Sequence, residues 1–375
     1  MILVSTIILT IYTLLILWLI IGFDKVKPFE KKVETPKNKF SIIIPFRNEE
    51  NNLIELLNSL SLLNYPNDFF EIFMVDDDSE DNSVEVIGHF KTRRPNLPIQ
   101  ILKNQRKSGS PKKDAIETAI QKAKFDWIIT TDADCVVPKN WLQTFDTFII
   151  NYQPKLIAAP VTYAIGNSFL EQFQLFDFLS LQAATIGGFG INKPFLCNGA
   201  NLCYEKSAFV EVNGFEGNAQ IASGDDIFLL EKMKNKFPEK VHFLKSKEVI
   251  VFTKPQPTFS SLISQRVRWA AKTSSLKGSL VKFIGIIVFL LNSLLVSALF
   301  LVLLGYFNLQ FLLILFGIKL IIDFVLLMKS YKLFGHSFHF TKYFVSSLCY
   351  PFFSMFVVIL SFKKGYQWKN RTFKK

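Results

Sequence analysis

Hydrophobic positions fall along this chain in two different ways. Residues 40–46 (FSIIIPF), 70–75 (FEIFMV), 99–102 (IQIL) and 125–131 (FDWIITT) are short apolar bursts closed off by turn residues. Such bursts are what strands in the interior of a sheet require. Between them, residues 49–62 and 112–124 carry apolar side chains at helical spacing, and Asp81 stands where it can cap a helix that follows the second strand. Strands alternating with helices predict an α/β fold built on one mostly parallel, doubly wound sheet. In such sheets ligands gather outside the carboxyl ends of the strands.

Elsewhere the apolar residues run together. Residues 1–23 carry no charge before Asp24, and three further runs follow at 282–305, 309–328 and 343–362. Each is close to the roughly 20 residues a helix needs to cross a bilayer core. The chain therefore divides into a membrane anchor (1–23), a basic linker (24–39), a globular domain (40–280), a transmembrane region (281–362) and a basic tail (363–375). The first run lacks a basic leader and a small-x-small cleavage site, so it reads as an uncleaved anchor. Lys25, Lys27, Lys31, Lys32, Lys37 and Lys39 follow it directly. The positive-inside rule then puts the domain in the cytoplasm, on an integral protein of the inner (cytoplasmic) membrane. Three full crossings after the domain would carry the tail outside, although Lys363, Lys364, Lys369, Arg371, Lys374 and Lys375 favour the inside. Pro351, near the middle of 343–362, marks that run as a re-entrant or interfacial segment.

Charge and cysteine content narrow the function little. The net charge of +12 arises where lysines flank the apolar runs, which suits anionic lipid and gives no reason to invoke nucleic acid. The four cysteines have no zinc spacing, and a cytoplasmic domain disfavours disulfides. No G-x-G-x-x-G follows the first strand, and Gly187-Gly188-Phe189-Gly190 does not stand in its place. A transporter with a nucleotide-sensing domain would need polar groups along several spans. Lys319 and Asp323, spaced i, i+4, more simply pair with each other.

Three acidic clusters end strands or open helices: Asp76-Asp77-Asp78, Asp132-Ala133-Asp134 and Asp225-Asp226. Alternation at a strand end aims Asp132 and Asp134 the same way, a disposition that suits a hard divalent cation, Mg²⁺ or Mn²⁺. Turns and helix caps use the same residues, and acidic groups at a helix start also complement its dipole. On a helix, Gln265, Arg268 and Trp269 share one face. Arginine suits diphosphate oxygens, and an indole offers a flat face to a sugar or a lipid head.

In this order, and ahead of a hydrophobic C-terminal third, these clusters and Gln265-Arg266-Val267-Arg268-Trp269 resemble the membrane-bound family 2 glycosyltransferases over residues 40–275. The resemblance implies a GT-A fold with a single Rossmann-like sheet, one N-terminal and about three C-terminal transmembrane helices. It also implies an inverting enzyme that moves a sugar from a nucleotide-diphosphate donor, expected to be a UDP-sugar. Asp226 maps onto the general base, although Asp225 replaces the commoner Glu. Asp132 and Asp134 map onto the metal site. Arg47 and Glu49 lie in the first-strand loop, with Arg47 where many members stack a Tyr on the base. Asp76, Asp77, Asp132, Gln265 and Arg268 are expected on the donor, together with Lys113, placed in the family's G-K-x-x-A-L. Cys197, Asn198 and Trp269 are expected on the acceptor. Arg266 is read as part of a basic interfacial helix. Two acceptor classes stay open: a lipid or lipid-linked molecule, as in enzymes similar to ceramide glucosyltransferase, or a growing chain, as in poly-N-acetylglucosamine synthases. Few spans favour the first. A scaffold that has lost catalysis is disfavoured by the intact clusters, and any polysaccharide-export partners are not readable from the sequence.

Overall fold

The computed structural model describes residues 2–30, 34–218, 221, 224–275, 278–362, 366–368 and 371–373. Helix α1 (Ile2–Lys25) leads to β1 (Phe40–Phe46), α2 (Glu50–Ser61), β2 (Phe70–Asp76) and α3 (Ser83–Arg93). Next come β3 (Ile99–Lys103), α4 (Pro111–Ile120), β4 (Trp127–Thr130) and the two-residue β5 (Cys135–Val136). Helix α5 (Trp141–Tyr152), β6 (Leu156–Ala158), β7 (Val161–Tyr163) and the long α6 (Phe169–Gly190) follow. The domain continues through β8 (Leu202–Glu205), α7 (Lys206–Glu211), α8 (Asp225–Lys236), β9 (Val241–Phe243), β10 (Val251–Thr253) and α9 (Phe259–Ser275). Last are α10 (Ser279–Leu303), α11 (Leu309–Phe334), α12 (Phe340–Ser361) and the hairpin β11 (Tyr366–Trp368) and β12 (Arg371–Phe373).

Seven strands form the central sheet in the order β3-β2-β1-β4-β8-β6-β9. The β3-β2-β1-β4 half is wholly parallel, and β8 alone runs against its neighbours β4 and β6. The expected α/β architecture is therefore present. The fourth strand is shorter than 125–131, and α4 stops at Ile120. A second sheet, β5-β10-β7, braces the carboxyl end of β4. Ile42 and Ile44 of β1 point into the core that holds α2, α3 and α5, and Ile43 points into the opposite one. That second core runs without a break into α1, α10 and α11.

Four helices, α1, α10, α11 and α12, are long and apolar enough to cross a membrane. Helix α1 lies against α6 at backbone contact. A Cβ on Gly190 would sit 1.8 Å from the Gly22 carbonyl oxygen, and one on Gly187 2.5 Å from that of Leu19. The glycine cluster 187–190 is thus a helix-crossing seam. At the same end, Lys329 bonds Asp24 at 2.8 Å, and Lys245 donates to the carbonyls of Phe23 (2.7 Å) and Val26 (2.9 Å). Lys319 and Asp323 pair at 2.5 Å, and Tyr12 of α1 donates to Asp323 at 2.6 Å.

Helix α12 packs both on the domain and on α10. Lys342 near its start donates to the Asn167 carbonyl (2.8 Å), Phe353 packs on Phe173 (5.1 Å), and Val357 shares a cluster with Leu262 of α9. Strand β11 then lies against α9.

Candidate active site

β2 and β4 end side by side with β1 between them, so their terminal carboxylates face one cleft. Lys112, in the first turn of α4, stands at its centre. Its Nζ donates to Asp132 Oδ1 at 2.6 Å and lies 3.4 Å from Asp225 Oδ2. Burial alone would lower this amine's pKa, but the charges of Asp132 and Asp225 more than offset it and raise the value. One cation thus ties the D-x-D to the acidic start of α8. The second acidic residue there, Asp226, is buried. Its Oδ2 accepts from the Gly199 N–H (3.3 Å) and its Oδ1 from the Ile227 N–H (2.8 Å), which fixes the carboxylate. A Cβ on Gly199 would lie 2.9 Å from Asp225 Oδ2 and 3.4 Å from Lys112 Nζ, so a side chain there would push on the Lys112–Asp225 pair. Gly224, at φ +85° before α8, supplies the left-handed turn that swings the pair inward.

Asp134 lies at the inner end of the D-x-D, beside the Cys135 Sγ (3.7 Å). Burial and the nearby charges of Asp132 and Glu49 push its carboxyl up to about 6. Glu49 is held by Asn52 (2.6 Å) at the start of α2. Among the described residues no group of three or more His, Cys, Asp or Glu forms a complete metal shell. The donor set still fits a hard cation of the Mg²⁺ kind, which takes one or two carboxylates and completes its shell with ligand oxygens and water.

The β2 end differs from expectation. Arg47 is buried, and its guanidinium donates to the Asp77 carbonyl (2.8 Å), the Asp78 carbonyl and Glu80 (2.7 Å). It braces the loop after β2 and is not free to stack on a base. Asp77 is also buried, accepting from Asn104 (2.8 Å) and Arg106 (2.7 Å), while Asp76 accepts the Ser79 N–H at 3.0 Å. Arg106 went unnoticed in the sequence because its partner lies 29 positions away. Lys113 also departs from expectation. It is fully buried and donates to Asn218 O (2.7 Å), Asn218 Oδ1 (2.8 Å) and Ile221 O (3.0 Å). Its adjacent Lys112 occupies the cleft. Counting K-x-x-A back from Ala115 would have found it.

Asn198 caps the turn before β8, its Oδ1 accepting the Ala200 N–H at 3.0 Å, and Cys197 is partly buried beside it. This loop carries Gly199 to Asp226. On α9, Gln265, Arg268 and Trp269 are partly buried. Arg266 is not interfacial: it is buried and bonds Asp177 of α6 at 2.5 Å. Its guanidinium lies 4.2 Å from the Trp269 ring and donates to Gln265 Oε1. Burial raises the pKa of the Tyr163 hydroxyl on β7, an effect that Arg266 opposes and the charges of Asp177 and Asp134 reinforce.

A mostly parallel sheet that ends in a D-x-D, faced by an acidic helix start and flanked by apolar helices, defines a glycosyltransferase of the GT-A fold. The chain belongs to glycosyl transferase family group 2, whose model matches residues 127–362, and residues 41–208 also match the model of glycosyl transferase family 2. Glycosyltransferase AglE of Haloferax volcanii is 27% identical over 187 residues, 49% of this chain and 58% of that protein. Poly-beta-1,6-N-acetyl-D-glucosamine synthase of Staphylococcus epidermidis is 25% identical over 264 residues, 66% of this chain and 59% of that protein. The chain thus spans less than two thirds of either relative. The mannosyltransferase PcManGT of Pyrobaculum calidifontis, solved with GDP-Man and Mn²⁺, shares the fold at a TM-score of 0.54 and 17% identity over 72% of each chain.

Proposed function

We propose that this enzyme is an inverting glycosyltransferase that takes a nucleotide-diphosphate sugar, a UDP-sugar by preference, and glycosylates a lipid or lipid-linked acceptor at the membrane surface. The observation that carries the reading is Lys112 bridging Asp132 and Asp225, which makes one cleft of the metal-side and base-side clusters. Asp226 accepts the proton of the acceptor hydroxyl as that oxygen attacks the anomeric carbon. Its two backbone hydrogen bonds fix the carboxylate in place. Attack from the face opposite the departing nucleoside diphosphate inverts the anomeric configuration. Asp132 and Asp134 would hold a divalent cation, which supplies charge neutralisation at the diphosphate. Asp76, Asp77 and Glu49 border the donor end, and Lys112 takes the part the sequence had given to Lys113. Gln265 and Arg268 serve the donor side of α9. Cys197, Asn198 and Trp269 serve the acceptor side.

The lipid reading is supported by apolar helices that pack directly on the α9 and α6 faces of the domain. The similarity to a poly-N-acetylglucosamine synthase favours a second reading, processive chain growth. Cytoplasmic placement in an inner membrane follows from the basic linker and is part of the proposal. Incubation of the purified protein with a panel of nucleotide sugars, Mn²⁺ and extracted membrane lipids tests it. One labelled lipid product carrying a single sugar is expected. A ladder of lengthening glycans would favour the synthase, and no transfer or hydrolysis with any donor would overturn both readings.

A further inference from the structure

The Asp177–Arg266 pair is the most deeply placed charge pair outside the acidic cleft. Both side chains are 6% exposed and bond at 2.5 Å between Arg266 Nε and Asp177 Oδ2. Burying two charges carries a desolvation cost that an apolar contact between two helices would avoid. What the pair provides that an apolar contact would not is direction, because the guanidinium is a rigid planar fork. That fork is in use: Nη1 reaches Gln265 Oε1, and its carbon sits 4.2 Å from the Trp269 ring. One buried group therefore touches two of the three residues that share the α9 face.

Its anchor is equally constrained. Asp177 lies in the middle of α6, whose C-terminal end is locked to α1 by the Gly22–Gly187–Gly190 contact. The N-terminal end is wedged against α9 and α12 by Phe173, 5.1 Å from Phe353. Tyr350 of α12 stands within electrostatic reach of both Asp177 and Arg266.

We infer that Asp177 and Arg266 are positioning residues for transfer: α6 uses Asp177 to fix the Arg266 guanidinium, which holds Trp269 in the orientation that receives the acceptor. This rests on the acceptor-side reading of Trp269 in the proposed function. The pair acts through Trp269, so removing either should produce the same defect.

A double-mutant cycle on the full-length protein tests this, with UDP-N-acetylglucosamine, Mn²⁺ and total membrane lipid extract as probes. Asp177→Asn is expected to lower lipid-dependent transfer roughly tenfold to a hundredfold, the scale of a charge-assisted hydrogen bond. The KM for the donor should stay unchanged. Asp177→Asn combined with Trp269→Ala should be no slower than the slower single variant, whereas independent sites would multiply their losses. Multiplying losses, or a raised donor KM, would overturn the inference. If Asp177→Asn fails to fold, the paired neutral replacement Asp177→Asn/Arg266→Gln leaves no charge stranded in the interior. Folded and slow supports the inference; wild-type transfer by that variant overturns it. Arg266→Lys keeps the charge and loses the fork, so full activity there would also refute a positioning role. If Trp269→Ala slows donor hydrolysis by water as much as transfer, the acceptor-side reading fails, while the cycle still reports on the coupling.

Discussion

Lys112 Nζ and Asp132 Oδ1 lie 2.6 Å apart, so the D-x-D of this enzyme already has a protein cation against it. The same amine faces Asp225 across the cleft at 3.4 Å. The two lysines at the start of α4 therefore have separate duties: Lys112 holds the cleft together, and Lys113 holds Asn218 and Ile221, which precede α8.

Substitution should separate them. Lys112→Met is expected to cost about 10- to 100-fold in kcat/KM, as for lost hydrogen bonds to a charged group, with little change in Tm. Lys113→Met strands buried carbonyls at a cost of about 1–3 kcal/mol, which lowers Tm by several degrees. Thermal unfolding in detergent beside a transfer assay reads both. A reversed pattern would return the donor role to Lys113.

Asp226→Asn keeps the shape of the side chain and one of its two accepted backbone hydrogen bonds while removing its basicity. Transfer should fall by about 10²- to 10⁴-fold, the range for a general base, with UDP binding close to normal. A loss below tenfold would take the base role from this residue.

Asp134→Ala should weaken nucleotide binding in the presence of Mn²⁺ and leave metal-free binding alone. Isothermal titration with UDP, before and after EDTA, measures both. Equal affinity of the wild type with and without metal would remove the cation from the D-x-D.

The parallel half of the sheet was legible because β1, β2, β3 and β4 are apolar bursts long enough to show a pattern. Strands β5 to β7, β9 and β10 have only two or three residues each, too few for any periodicity. The acidic clusters were legible as letters, but their partners were not. Arg47 reads as a group free to stack on the donor's base until the loop after β2 closes over it. Arg266 reads as interfacial until α6, 89 positions away, brings Asp177 against it. Contacts of that separation are set by the fold, and local spacing carries no trace of them.

The glycine seam between α1 and α6 makes a stability prediction. In Gly190→Leu the new side chain meets the Gly22 backbone, which cannot rotate aside, so the helices must separate. The cost should reach or exceed the roughly 1–3 kcal/mol typical of overpacking, visible as a lowered Tm. Gly88→Ala in α3, where nothing lies within 4 Å, should instead stabilise by up to about 1 kcal/mol. Unchanged stability in Gly190→Leu would mean that α1 and α6 do not meet as described.

The tail carries the topological prediction. Its lysines 363, 364, 369, 374 and 375 lie outside the described residues, but the strands between them are placed, and β11 lies against α9. Helix α9 leads from the domain into α10, so the tail is predicted to lie on the side of the membrane that holds the domain. Helix α12 packs on Phe173 and Leu262 through Phe353 and Val357 as well as on α10, and it is predicted to be a surface-lying or re-entrant segment although it is long enough to cross. Pro351 inside it removes one backbone donor and allows the bend that such a path needs. If the domain is cytoplasmic, a cysteine at Thr372, on a background without the four native cysteines, should resist an impermeant maleimide in intact cells and react after permeabilisation. Ready labelling from outside would restore α12 as an ordinary crossing and detach the tail from α9.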